Sequence, residues 1–313
     1  MATFTIAFPG QGSQAVGMLA DLAEKFDVVT DTFKQASDVL GYDLWQLVQQ
    51  GPAEELNKTF KTQPALLTAS VAIWRVWQAQ GGATPSVMAG HSLGEYSALV
   101  CAGVIDFQDA IKLVELRGNL MQQAVPEGIG AMAAIIGLAD DQIAKACEQG
   151  AENEVVAPVN FNSPGQVVIA GNKAAVERAG DLCKEAGAKR VLPLPVSVPS
   201  HCALMKPAAD ELAKTLADMS FNTPDIPVIN NVDVAAETDP AAIKDALIRQ
   251  LYRPVRWTEV VTKMAQDGIT LEIEMGPGKV LSGLVRRIDK SIAAAAVNDV
   301  ASLEQALVTV TGE

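Results

Sequence analysis

A serine stands between two glycines at residues 90 to 94, GHSLG, where an apolar stretch ends and a helical pattern begins. The spacing is that of a nucleophile elbow, a strand-to-helix turn so tight that the backbone at the serine is strained and its flanking positions have no room for side chains. Such a turn exposes the hydroxyl and points the free N–H groups at the start of the helix towards it. We therefore expect Ser92 to be a catalytic nucleophile, with an ordinary strand-to-helix turn as the alternative.

A serine hydroxyl needs a base to become nucleophilic at neutral pH, and histidine is the usual one. The chain has two histidines. His91 adjoins Ser92 on a sharp turn and its side chain should diverge from the hydroxyl, which leaves His201 as the predicted base. His201 lies where a predicted small domain returns the chain to a larger one. This junction should border a cleft between the domains, and binding sites often lie in such clefts. The alternative is that His201 is a structural histidine of the core. The two histidines have no ligand-like spacing to cysteines or carboxylates, so no metal site is predicted.

A cation is predicted close to the apolar stripe of the helix that follows Asp106. Apolar residues recur at helical spacing on both sides of Arg117, so we expect its guanidinium to be at least partly buried. A buried guanidinium keeps its proton, and leaving it unpaired costs on the order of several kcal/mol. Its partner is either an internal carboxylate or the carboxylate of a substrate held by two parallel hydrogen bonds. The second possibility would select an acyl group that ends in a carboxylate.

The glycine-rich loop FPGQGSQAVGM, residues 8 to 18, follows the first predicted strand and has two interpretations. Residues 10 to 15 fit G-x-G-x-x-A, and Asp31 lies near the position of a ribose-binding acid, which would indicate a dinucleotide site. Pro9 inside the turn and the weak strand before Asp31 argue against that site. In the other interpretation, backbone N–H groups of the loop complete an oxyanion hole beside the elbow.

Short apolar strands alternate with amphipathic helices along the chain, which is typical of a parallel sheet covered by helices. Between Gly130 and residue 196 the predicted order is strand, helix, strand, strand, helix, strand, a ferredoxin-like arrangement. We therefore predict an α/β protein with a large subdomain at residues 1–126 and 199–313 and an inserted small subdomain at residues 127–198. The other principal predicted strands are at 3–8, 86–90, 226–232 and 269–276. The principal predicted helices are at 64–82 (opened by Pro64), at 107–124 (capped by Asp106) and from Ala301.

Composition limits the functional classes. The 313 residues are 49% hydrophobic, enough for a substantial core, and the net charge of -13 argues against nucleic acid or an anionic membrane as the main partner. The first residues lack a secretory signal pattern and no later run is apolar for the length of a membrane span, so we expect a cytoplasmic protein. Four scattered cysteines, including Cys202 beside His201, are most simply reduced packing residues.

Taken together, seven motifs in this order resemble the acyltransferase family of fatty-acid and polyketide synthesis, and the free-standing members most of all. The resemblance covers nearly the whole chain. The motifs are FPGQGSQ at 8–14, TQPALL at 62–67, GHSLGEYSAL at 90–99, Arg117, VNFNSPGQVVIAG at 159–171, PVSVPSH at 195–201 and EMGPGKVL at 274–281.

The resemblance implies roles for individual residues. Ser92 would be the nucleophile, His201 the base and Arg117 the clamp for a malonyl carboxylate. The remaining implied residues are Gln250, whose carbonyl would orient His201, the oxyanion-hole residues Gln11 and Leu93, and the substrate-binding residues Asn160 and Asn162. It also implies an α/β-hydrolase-like large subdomain beside the ferredoxin-like (βαββαβ) small one.

The implied reaction moves a malonyl group from malonyl-CoA to the phosphopantetheine thiol of holo acyl carrier protein through a malonyl-serine, with no cofactor of the enzyme's own. Because such carriers are acidic, docking should use a basic rim, and we expect a monomer. The candidate rim residues are Lys189, Arg190, Lys206, Arg253, Arg256, Arg286 and Arg287. A hydrolase that releases malonate, a nicotinamide oxidoreductase and a carrier-binding module without activity are the alternatives.

Overall fold

The computed structural model describes residues 3–126, 128–196 and 198–311. The strands, in chain order, are β1 (Phe4–Phe8), β2 (Val87–Gly90), β3 (Gly130–Ile136), β4 (Val156–Ser163), β5 (Gln166–Asn172), β6 (Arg190–Pro193), β7 (Val228–Ile229), β8 (Leu271–Met275) and β9 (Ala293–Val297). The helices are α1 (Ala20–Lys25), α2 (Asp27–Leu40), α3 (Leu44–Gln50), α4 (Ala53–Leu56), α5 (Thr59–Ala79), α6 (Leu93–Cys101), α7 (Phe107–Ala124), α8 (Asp140–Ala151), α9 (Lys173–Glu185), α10 (Lys206–Asp218), α11 (Pro240–Gln250), α12 (Trp257–Gln266), α13 (Val280–Ile288) and α14 (Val300–Thr311).

The larger sheet is parallel throughout, in the order β7-β2-β1-β8-β9. All five residues of β1 are buried, as expected for a central strand with helices on both faces. The main core includes Ile6, Phe8 and residues of α5 and α7, and a second core on the other face includes Trp257 of α12 and Val285 of α13. Because parallel strands end at one edge, this sheet brings the loop after β1 and the turn after β2 together.

The smaller sheet is antiparallel, in the order β4-β5-β3-β6, with α8 and α9 packed on it. The element order from β3 to β6 is the βαββαβ arrangement, so the predicted fold class is confirmed. These strands lie between residues 130 and 193, within the predicted small subdomain. The exact limits of the subdomains stay a prediction, and Glu127, the first residue of the small one, lies outside the described residues.

The predicted start of the helix at Pro64 is wrong, because α5 begins at Thr59 and contains Pro64 in its interior. A proline there removes one intrahelical hydrogen bond and usually bends or ends a helix. Every residue of α5 from Thr62 to Trp74 is buried, so packing on all sides of the helix offsets the lost bond. The Asp106 cap of α7 is confirmed, since its side chain accepts hydrogen bonds from the N–H groups of Gln108 and Asp109.

The dinucleotide interpretation of the glycine-rich loop is wrong. It requires a strand that ends near Asp31, but Asp31 is an exposed residue of α2. The buried residues of this helix, Val29, Thr32, Phe33 and Ala36, follow helical spacing. Across the described ranges, none of the helices has the length and apolar character needed to cross a membrane.

Candidate active site

Ser92 occupies a strained turn between β2 and α6. Its φ of 52° and ψ of -106° lie outside the regions that residues with a side chain usually adopt. The flanking glycines are required by close packing: a Cβ added at Gly90 would lie 1.8 Å from the carbonyl carbon of Gly94, and one added at Gly94 would lie 1.9 Å from the carbonyl oxygen of Phe8. The β1 loop therefore packs directly against the elbow, and only glycine fits where the backbones meet.

The structure brings Ser92 and His201 together, with 2.8 Å between Ser92 Oγ and His201 Nε2. On the other side of the ring, His201 Nδ1 lies 2.6 Å from the backbone carbonyl oxygen of Gln250. A carbonyl oxygen can only accept, so Nδ1 carries the proton and donates it. The lone pair of Nε2 therefore faces the serine, which is the arrangement a general base needs.

His201 is buried, and burial lowers its pKa to about 3, with a further lowering from the positive charge of Arg117. The hydrogen bond to the carbonyl of Gln250 acts in the opposite direction. The imidazole is therefore neutral at physiological pH and free to accept a proton from the serine.

His91 makes no hydrogen bond to the Ser92 hydroxyl among the described residues, as expected, although it lines the same cavity as Ser92. Its Nε2 lies 2.8 Å from Asn162 Oδ1, and its ring centroid is 5.7 Å from that of Trp257. Asn162 is thus occupied by His91 and is not among the residues that line the cavity around Ser92. Asn160 does line that cavity, and its Oδ1 has no hydrogen-bond partner in the part of the chain that the structure describes.

Arg117 of α7 is 1% exposed and reaches the nucleophile. Its Nη2 donates to Gln250 Oε1 at 3.0 Å and to Ser92 Oγ at 3.3 Å, and its Nη1 donates to Gln63 Oε1 at 2.8 Å. Among residues 3–126, 128–196 and 198–311, no carboxylate forms a salt bridge with Arg117. Burial lowers the pKa of the guanidinium, yet an arginine stays protonated, so the site holds a cation whose direct hydrogen-bond partners are neutral.

These side chains face a cavity of about 100 Å³. Gln11 and Leu93 line it as well. Leu93 is the first residue of α6, so its N–H has no acceptor within the helix. The cavity shares Gln11 and Met132 with a wider cleft of about 900 Å³ between the two subdomains, which provides a route for a long substrate.

Sequence reasoning missed three residues that hold the site in place. Asn231 accepts from the N–H of Ser92 at 2.8 Å and donates from Nδ2 to the carbonyl of Gly90 at 2.8 Å, so it bridges the turn between Gly90 and Ser92. Glu95 accepts from the backbone N–H of Asn231 at 2.9 Å, and Gln63 is the amide beside Arg117. Polar residues in otherwise apolar stretches, VINNV for Asn231 and TQPALL for Gln63, were the available signal.

The comparisons with known proteins agree with one another. Residues 5–308 match the acyl transferase domain family. The chain is 71% identical to the malonyl CoA-acyl carrier protein transacylase of Haemophilus influenzae over 303 residues, 96% of this chain and 97% of the relative. It is 68% identical to the protein of that name from Escherichia coli K12 over 307 residues, 98% of this chain and 99% of the relative.

Two solved structures are also similar. An acyl carrier protein S-malonyltransferase from Vibrio cholerae has a TM-score of 0.96 and 75% identity, with 97% of this chain and all (100%) of that chain covered. A malonyl-transacylase in complex with a type II polyketide acyl-carrier protein, PlMCAT:AntF, has a TM-score of 0.98 and 67% identity, with coverage of 98% and 100%. The chain belongs to the acyl transferase domain family.

Proposed function

We propose that this protein transfers a malonyl group from coenzyme A to the phosphopantetheine thiol of acyl carrier protein, through a malonyl-Ser92 intermediate, and so supplies fatty-acid synthesis. The observation that carries the proposal is the distance of 3.3 Å between Arg117 Nη2 and Ser92 Oγ. A malonyl group carries its carboxylate one methylene away from the thioester carbonyl. An acyl group attached to Ser92 with its free carboxylate on Arg117 must therefore be short and must derive from a dicarboxylic acid.

In the first half of the reaction, His201 Nε2 takes the proton of Ser92 as the serine oxygen attacks the thioester carbonyl. The carbonyl of Gln250 accepts from Nδ1 and stabilises the imidazolium that forms. The backbone N–H groups of Gln11 and Leu93 donate to the oxyanion, a contribution of roughly 3 kcal/mol for each donor. Coenzyme A leaves with the proton from His201, and the malonyl group remains on Ser92.

In the second half, the phosphopantetheine thiol of the carrier enters by the wide cleft and gives its proton to His201. Its sulfur attacks the malonyl-serine, and the steps run in reverse to release Ser92. The two substrates react in turn at one site, so the kinetics are ping-pong. The phosphopantetheine comes with the carrier, and no cofactor of the enzyme's own is needed.

The relatives support this substrate and this partner, since their names give malonyl-CoA and acyl carrier protein and one relative was solved with its carrier. The basic rim is part of the proposal. Lys206 and Arg256 pair with Asp210 and Glu259, so the stronger candidates for an acidic carrier are the exposed rim residues that form no salt bridge among the described residues, Lys189, Arg190, Arg253, Arg286 and Arg287. A monomer and a cytoplasmic location remain predictions; the four unpaired cysteines are consistent with a reducing compartment.

Incubation with malonyl-CoA and holo carrier protein tests the function, with malonyl-carrier detected by mass spectrometry. We expect malonyl-carrier from the wild-type protein and none from Ser92→Ala. Without carrier, the malonyl-enzyme should persist until a pantetheine thiol is added. Release of free malonate at a comparable rate with and without thiol would identify a hydrolase instead, and activity in Ser92→Ala would remove the proposed intermediate.

A further inference from the structure

Glu95 is a buried carboxylate at the active site that the proposed cycle does not use. It lies in the first turn of α6 and is 2% exposed. Its Oε2 accepts from the N–H of Asn231 at 2.9 Å and from Gln250 Nε2 at 2.8 Å. The oxygen of the same Gln250 amide accepts from Arg117 Nη2 at 3.0 Å. One amide therefore joins the buried carboxylate to the buried cation, and its orientation is fixed from both ends.

This connection makes the charge of Glu95 sensitive to what Arg117 binds. Burial raises the pKa of Glu95 to about 7, although the hydrogen bonds from Gln250 and Asn231 and the positive charge of Arg117 lower it. Protonated and ionised forms are therefore both populated near neutral pH. With Glu95 ionised, the pair Glu95 and Arg117 has no net charge. A second carboxylate arriving at Arg117 would leave one uncompensated negative charge in a buried site, which is strongly unfavourable.

We propose that Glu95 is the counter-charge of Arg117 in the empty site and that the substrate carboxylate replaces it, so that Glu95 takes up a proton as the malonyl group binds. The inference rests on the proposed function, since it needs an acyl group with a free carboxylate. The proton comes from solvent, and the only bond that forms in this step is the O–H bond of Glu95. The buried site then holds the cation, the substrate carboxylate and a neutral acid, and is again without net charge.

The other ionisable groups around Glu95 are distinguishable from it. Asp233 is exposed and pairs with Arg249 at 2.7 Å, and this partner lowers its pKa, so it stays ionised. Burial raises the pKa of Tyr96 to about 12, so the phenol stays neutral. Glu237 lies across a small internal cavity from Glu95 and contacts neither Arg117 nor Gln250 by a hydrogen bond or salt bridge in the described part of the chain. Glu237 is therefore the natural control.

Calorimetry on the Ser92→Ala variant, in which acyl transfer cannot occur, tests the inference. Binding of malonyl-CoA and of acetyl-CoA is measured near pH 7.5 in two buffers with different ionisation enthalpies, which gives the protons taken up per ligand. Both ligands carry the same phosphates, and acetyl-CoA lacks the carboxylate. We expect malonyl-CoA to take up a large fraction of one proton more than acetyl-CoA. Above the pKa of Glu95, malonyl-CoA affinity should fall by up to about tenfold per pH unit.

Adding Glu95→Gln to Ser92→Ala gives a double variant that keeps an acceptor oxygen at residue 95 and removes its charge. In that double variant the difference in proton uptake should vanish and malonyl-CoA affinity should stay constant from about pH 6.5 to 8.5, whereas Glu237→Gln should leave the difference intact. Equal uptake for the two ligands in Ser92→Ala, or a difference that survives Glu95→Gln, overturns the inference alone. The comparison of malonyl-CoA with acetyl-CoA in Ser92→Ala is made with Glu95 unchanged. Absence of any malonyl-CoA binding to the wild-type protein overturns the proposed function as well.

Discussion

Arg117 and Ser92 lie in one cavity, with the guanidinium Nη2 3.3 Å from the serine Oγ. The cation is held by the neutral amides of Gln63 and Gln250. The site therefore places a fixed positive charge beside the nucleophile, and among the described residues no carboxylate contacts that charge directly. This relationship favours a substrate that brings its own carboxylate and explains why the specificity of the enzyme should depend on one side chain.

Replacing Arg117 by alanine should reduce kcat/KM for malonyl-CoA by roughly 100-fold, because loss of one member of a buried, hydrogen-bonded ion pair costs about 2 to 5 kcal/mol. Acetyl-CoA has no carboxylate, so its kcat/KM should fall much less, and the preference should shift towards acetyl-CoA. Steady-state kinetics with both substrates measure this. Arg75→Ala, at a half-buried arginine outside the cavity, is the control. An unchanged malonyl preference in Arg117→Ala would mean that Arg117 is structural.

The pH dependence of acylation should reflect the lowered pKa of His201. Neutral imidazole is the active form, and burial together with Arg117 lowers its pKa to about 3. The rate of Ser92 acylation at saturating malonyl-CoA should therefore not fall around the ordinary histidine pKa of 6.5 as the pH is lowered. In Arg117→Ala, the lost positive charge should move the acidic limb to higher pH. Rapid-quench measurements of the acylation rate from about pH 5 to 8, which spans the ordinary histidine pKa, test both expectations.

A wild-type acidic limb close to pH 6.5 that does not move in Arg117→Ala would contradict this account of the base. Unfolding at each pH should be followed in parallel by circular dichroism, so that loss of the fold is not mistaken for protonation of the imidazole.

Glu272 should destabilise the fold at neutral pH. Both of its carboxylate oxygens are buried in β8 without a hydrogen-bond partner among the described residues, and burial raises its pKa well above the ordinary value of 4.5. The folded state keeps a proton that the unfolded chain releases above that value, so this contribution to stability falls as the pH rises. Relative to the wild type, the unfolding free energy of Glu272→Met should therefore increase by about 1.4 kcal/mol for each pH unit between the ordinary pKa of 4.5 and the raised pKa of Glu272.

Urea unfolding at several pH values between about 5 and 8 measures this gain, and a constant difference would contradict it. Glu274→Met is the matched control on the same strand. The carboxylate of Glu274 accepts from the N–H groups of Leu281 and Ser282 and from Ser282 Oγ at the start of α13. Its replacement should destabilise the protein throughout the pH range, because a satisfied buried carboxylate and a helix cap are lost together.

The elements around the elbow were predictable because local rules agree there. An apolar strand, two glycines and a helical pattern around Ser92 all indicate the same turn, and the packing of Gly90 and Gly94 supplies the physical reason. The burial of Arg117 was also predictable, since helical periodicity places apolar residues on both sides of it.

Other features depend on tertiary contacts that no local pattern contains. Pro64 favours a helix start, but burial of α5 on every side extends the helix beyond it. Asn231 and Glu95 are separated by 136 positions along the chain and meet only because β2 and β7 are neighbours in the sheet. The resemblance, and not the spacing of residues, indicated Gln250, because its role at His201 is performed by a backbone carbonyl that every residue has.

Covalent catalysis by Ser92 is tested by mass spectrometry of the intact protein, followed by peptide mapping, after brief incubation with malonyl-CoA. We expect one malonyl group per chain, attached to Ser92, absent from Ser92→Ala and removed by a pantetheine thiol. A malonyl group on another residue, or rapid transfer to the carrier with no acyl-enzyme under any quench condition, would contradict covalent catalysis by Ser92.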